Sequence, residues 1–111
     1  MRGDSDRIAD IFEALERIRS FTSGGRVQFF SDARTHEAVA YELLKLGEAA
    51  GRVSQPYRRN HTKVPWSRLI QLRHEVVHEY FRLDLDTLWE FIETELDPLE
   101  RALRALPLPK S

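Results

Sequence analysis

Apolar residues recur along this chain with a helical period, and no segment alternates as a strand would. Ile8, Ile11, Phe12, Leu15 and Ile18 fall at i, i+3, i+4 and i+7 spacing, one stripe of a helix expected over about 6–21. Asp4 or Ser5 can cap its free N–H groups. The paired glycines of TSGGRVQ stop it, because they favour a chain reversal over a helix interior. A second helix is expected after Ser31 or Asp32, running through Val39, Leu43, Leu46, Ala50 and Val53. Ala49, Ala50 and Gly51 are small enough to let another helix come close.

SQPYRRNHTKVP breaks the period, with room for one short helical turn around Pro56 to Arg59. Pro65 suits the first position of a third helix, where its missing N–H costs nothing. Trp66, Leu69, Ile70, Val76, Val77, Tyr80 and Phe81 supply that helix's apolar positions. RLDLD interrupts, with Asp84 or Asp86 as a cap. A long fourth helix then carries Leu88, Trp89, Ile92, Leu96, Leu99, Leu103 and Leu106, and Pro98 inside it should kink or loosen it. The tail LPLPKS terminates it. Amphipathic helices joined by short connections predict an all-α, up-and-down four-helix bundle, with residues 1–111 as one domain.

Composition narrows the function classes. The chain has no cysteine, which excludes a disulfide scaffold and a cysteine-ligated zinc site. The first ten residues lack the apolar core of a secretory signal, and no apolar run nears the roughly 18 residues of a membrane span. A cytoplasmic protein with no membrane association is the expectation. Net charge is −1, so the chain as a whole is not a polyelectrolyte binder. Charge is nevertheless segregated. Between Arg52 and Arg82 seven basic residues face only Glu75 and Glu79, whereas Leu83 to Glu100 holds seven acids and no base. A basic segment of this kind can steer a polyanion, and two complementary solvated helix faces would give the same pattern.

Chemistry concentrates in RHEVVHEY, residues 73–80. HEVVH matches H-E-x-x-H, in which His74 and His78, one helical turn apart, would share a zinc ion while Glu75 acts as general base. That reading needs a third ligand, for which Glu93, Glu95 and His61 are the candidates, and a sheet edge to hold substrate, which the pattern does not supply. The same letters also read R-x-x-x-x-H-x-Y. At 100° per residue Arg73 and Tyr80 share one face of a helix, and His74 and His78 share another. One helix would therefore not converge Arg73 and His78 on one phosphate, whereas two copies packed about a dimer axis could.

Several ordered landmarks resemble a known family, the HepT-like toxins of the HEPN superfamily of small helical RNases. Arg73, His78 and Tyr80 match its R-x-x-x-x-H-x-Y motif, VPW resembles its I-P-W helix entry, and HEYFRLDLDTLW resembles H-G-Y-F-x-x-D-x-x-x-x-W. Upstream, FFSDARTHEAVAYELLKLGEAAGRV resembles a stretch containing I-G-E-A-A. The resemblance implies a helical bundle that dimerises, placing both copies of Arg73 and His78 in an interfacial cleft, and that cleaves RNA without a metal or other cofactor. Arg73 would grip the scissile phosphate, and His78 would exchange protons with the 2′-hydroxyl and the leaving 5′-oxygen. His74 would support the site, and Arg68 and Arg82 would contact RNA.

The resemblance further implies a toxin silenced by a minimal nucleotidyltransferase antitoxin that transfers AMP to Tyr80. Glu79 stands where the family usually has glycine, and His74 where asparagine is common; a carboxylate at position 79 disfavours phosphate approach. The alternatives are a non-catalytic helical partner of a nucleotidyltransferase and, from HEVVH, a zinc metallopeptidase.

Overall fold

The computed structural model describes residues 2–79 and 84–107. Within them the chain is helical throughout: α1 (Asp4–Phe21), α2 (Gly25–Ser31), α3 (Ala33–Arg52), α4 (Gln55–Asn60), α5 (Trp66–Glu79), α6 (Leu85–Glu90), a π-helical turn (Phe91–Glu95) and α7 (Leu96–Arg104). The rods α1, α3, α5 and the α6–α7 segment form the bundle that the periodicity predicts. Ile8, Ile11, Leu15 and Ile18 from α1, Val39, Leu43, Leu46 and Ala50 from α3, Leu69, Leu72 and Val76 from α5, and Leu96, Leu99 and Leu103 from α7 make one buried core.

Polar contacts fix the order and direction of the rods. Asp4, at the start of α1, accepts hydrogen bonds from the Ser54 N–H (2.8 Å) and hydroxyl (2.7 Å) just beyond α3. Asp4 is thus a cross-link between helices and not the expected cap. Gly3 occupies the cap position, and its N–H donates to the Asp6 carboxylate (3.1 Å). At the other end of α1, Arg19 pairs with Asp97 and Glu100 of α7, while Arg104 lies over the Phe12 ring, so α1 and α7 run antiparallel.

Three local features depart from the sequence pattern. The TSGGRVQ stretch does reverse the chain, with Gly25 at φ 87°, but it then enters the short helix α2 and not a plain loop. Seven residues are too few to show a period. The helix buries Phe29 against Trp89 and His36. Second, Asp32 caps α3, accepting from the Arg34 N–H (3.0 Å) and the Thr35 hydroxyl (3.2 Å), but the close helix approach falls at Gly47, before the Ala49–Gly51 stretch.

Third, the fourth rod is interrupted ahead of Pro98. Asp84 caps α6 through the Asp86 N–H (3.0 Å), and the Leu96 N–H then bonds back to Phe91 O, five residues earlier. Proline lacks the N–H that would bond the Thr94 carbonyl, and its ring crowds that carbonyl. A wider turn placed there absorbs the conflict. It also rotates the inward face, so Phe91 is buried while Ile92 is only partly so.

A candidate RNase site at the seam of α3 and α5

Gly47 decides how α5 meets α3. A Cβ at that position would lie 2.3 Å from the Arg73 Cβ and 2.6 Å from the Leu69 carbonyl oxygen. Only a hydrogen leaves room for the two backbones. This contact sets Arg73 against the next residue of α3, Glu48, whose Oε2 is 2.9 Å from the Arg73 Nε. The Nε–H does not point along a good hydrogen-bond line, so the contact is an ion pair and not an aligned bond. Glu48 also accepts from Arg52 one turn later (3.0 Å). That hydrogen bond, with the charge of Arg73, holds the Glu48 carboxyl below the usual carboxylate range, against an opposing push from burial.

Beyond Arg73, α5 carries His74 and His78 on an exposed strip, with ring centroids 4.3 Å apart. Val77 beside them is 45% exposed, and Tyr41 on α3 is 58% exposed. Arg73 keeps 38% of its side chain accessible. The structure therefore sets Arg73 on the α3 seam and the two histidines side by side on the open face. Within one protomer it does not bring Arg73 and His78 into contact, as the helical geometry predicts.

The remaining expected residues distribute differently. Arg68 is half-buried and clamped by the Glu95 carboxylate through two hydrogen bonds (3.1 and 3.2 Å). That pairing, with Glu75 nearby, raises its pKa further, so much of its charge is already met. Tyr80 and Arg82 lie outside the described residues, as does the side chain of Glu79. Glu48 is the site residue that residue-by-residue reading missed. It sits inside the GEAA stretch, whose likeness to the family offered a signal without a role.

The zinc geometry finds no third donor. Among the described residues no three His, Asp or Glu side chains are grouped to hold a metal. Glu95 is taken by Arg68, Glu93 accepts from the Trp89 indole N–H (3.0 Å), and His61 is stacked on Tyr57 with centroids 4.0 Å apart.

Residues 11–106 match the family described as ribonuclease HepT-like. The chain belongs to that family. It is 31% identical over 100 residues to the "Probable ribonuclease HepT" of Thermococcus cleftensis, covering 89% of this chain and 91% of the relative. It is 31% identical over 92 residues to "Putative RNase TTE0752" of Caldanaerobacter subterraneus subsp. tengcongensis, covering 83% and 80%. No solved structure matches the chain. Among the described residues no helix is long and apolar enough to cross a membrane.

Proposed function

We propose that this HepT-like chain is a metal-independent endoribonuclease acting as the toxin of a toxin–antitoxin pair, with Arg73 and His78 as its catalytic residues. The observation that carries this reading is the placement of Arg73. A helix-to-helix approach that only glycine permits, together with the Glu48 carboxylate, orients its guanidinium at the edge of an exposed strip that also bears His78. The Nε side of the fork faces Glu48, which leaves its outer N–H groups for a phosphate oxygen.

His78 supplies the proton exchange: it takes the proton of the 2′-hydroxyl that attacks the adjacent phosphorus, or delivers one to the departing 5′-oxygen. The P–O5′ bond breaks as the P–O2′ bond forms, giving a 2′,3′-cyclic phosphate and a 5′-hydroxyl. Because one protomer separates Arg73 from His78, the complete site takes one residue from each copy of a homodimer. The exposed Val77 and Tyr41 beside the strip are suited to that contact. His74, packed against His78, acts as its support. The partner is a nucleotidyltransferase that neutralises the chain by adding AMP to Tyr80, bringing negative charge and bulk to the RNA groove.

Incubation of purified protein with RNA in EDTA tests the reading. Cleavage should persist and should fall by at least about a hundredfold in Arg73→Ala and in His78→Ala, the scale of a lost general acid or base. Mixed Arg73→Ala and His78→Ala protomers should recover part of the activity by completing one composite site. Intact RNA with wild-type protein, or variants as active as wild type, would leave the non-catalytic partner reading in its place. Mass spectrometry after mixing with the neighbouring nucleotidyltransferase and ATP reads Tyr80, where an unchanged mass refutes AMP transfer.

A further inference from the structure

An open pocket of about 580 Å³ lies where α4 meets the start of α5, away from Arg73 and His78. Arg58, Arg59 and Arg68 line it, with the Thr62 and Ser67 hydroxyl-bearing side chains and the edge of Trp66. Arg68 is spoken for by Glu95, but among the described residues neither Arg58 nor Arg59 pairs with a carboxylate. The Arg58 Nε is moreover buried without a hydrogen-bond partner. An orphaned guanidinium nitrogen is costly to bury unless an acceptor reaches it. The pocket also borders the first turn of the fourteen-residue α5, the positive end of that helix. Val64 and Trp66, both nearly fully buried, provide an apolar wall.

From this combination we infer a second nucleotide-binding subsite, in which Arg58 and Arg59 hold a phosphodiester of the RNA strand beside the cleaved bond. The volume suits one nucleotide, within the few hundred to one thousand Å³ common for ligand sites. Position favours RNA as the source of the phosphate. Arg68 precedes Arg73 by five residues and His78 by ten, roughly 8 and 15 Å along the helix axis. A strand with its scissile phosphate at Arg73 would run down α5 toward α4. The inference rests on the RNase reading for its choice of RNA, and the same phosphate chemistry would also accept a free nucleotide.

The test separates the two. Binding of a short fluorescent single-stranded RNA carrying 2′-O-methyl groups, which blocks attack, is measured by anisotropy over a range of salt. Arg58→Ala/Arg59→Ala should bind about tenfold more weakly, and its log–log salt dependence should be shallower by about two, one for each lost phosphate contact. His78→Ala should bind as wild type. Arg59→Glu alone, at an exposed and unpaired position, should weaken binding with no change in circular dichroism, which guards against a folding artefact.

In a second arm AMP and pyrophosphate are titrated while Trp66 fluorescence is followed. A response lost in Arg58→Ala/Arg59→Ala for AMP, combined with unaltered RNA binding, would overturn the RNA assignment and leave a free-nucleotide site. Unaltered binding of every probe would overturn the subsite. If that happens while His78-dependent cleavage persists, the RNase reading stands. If AMP binding depends on Arg58 and Arg59 but no RNA is cut, the RNase reading fails and the phosphate site survives.

Discussion

Two glycines of α3, four residues apart, should respond to alanine with opposite signs. At Gly47 the added Cβ would sit 2.3 Å from the Arg73 Cβ and 2.6 Å from the Leu69 carbonyl oxygen, and neither is the free end of a side chain that can swing aside. Reaching an ordinary contact of 3.4 Å from 2.3 Å requires a shift of about 1.1 Å (3.4 − 2.3), so α5 must move off α3. Overpacking of this kind costs about 1–3 kcal/mol. Against it, alanine gains about 1 kcal/mol over glycine in a helix interior. The net expectation for Gly47→Ala is a loss of about 1–2 kcal/mol, the balance of those terms.

At Gly51, an exposed position, the nearest atom to an added Cβ is the Ile70 Cγ1 at 3.8 Å, an ordinary contact. Only the propensity gain remains there, up to about 1 kcal/mol. Urea denaturation followed by far-ultraviolet circular dichroism reads both, and a midpoint that moves with unchanged slope reports stability alone. RNA cleavage adds a second readout, since Gly47→Ala displaces Arg73 and should lower activity even well below its melting temperature, while Gly51→Ala should not. If Gly47→Ala is as stabilising as Gly51→Ala, the close approach that positions Arg73 is not real and the account of the site fails with it.

Two further outcomes follow from the same contacts. The Glu48 carboxyl is held low first by Arg52 and then by Arg73, so its folded pKa lies below its unfolded one. Its stabilisation is therefore present above the ordinary carboxylate range and is lost as pH falls through the folded value; the stability gap between wild type and Glu48→Gln should close on acidification from about pH 5 to pH 3, and a gap independent of pH would contradict the pairing. Asp32→Ala removes the acceptor for the Arg34 N–H and the Thr35 hydroxyl at the start of α3 and should cost about 1 kcal/mol by chemical denaturation; an unchanged midpoint would mean that the cap adds nothing.

Much of the fold is legible in the order of apolar residues because burial follows helical period. The stripe from Ile8 to Ile18 and the run from Val39 to Ala50 are buried where the spacing puts them. The helix α2 was not legible, since its seven residues hold a single buried anchor, Phe29. Nor was the π turn. Pro98 announces a disturbance, but whether the chain bends, breaks or inserts a residue depends on how the neighbouring rods pack. In the candidate site Arg73, His74 and His78 could be named from their spacing. Glu48 could not, because an acid on an amphipathic helix is usually solvent-facing and nothing local says which arginine it will meet.

The sequence by itself determined that this chain is an all-helical bundle of the HepT-like family and that Arg73 and His78 occupy different faces of one helix. Both follow from local rules, a period of 3.6 residues and a motif read in order. Only the tertiary structure decided that Gly47 rather than Gly51 is the point of closest approach, that Glu48 takes the Nε side of Arg73, and that Arg68 is bound to Glu95 while Arg58 and Arg59 stay unpaired. These are pairings between residues far apart in the chain. Their partners are chosen by the distance between packed helices, which no local spacing encodes.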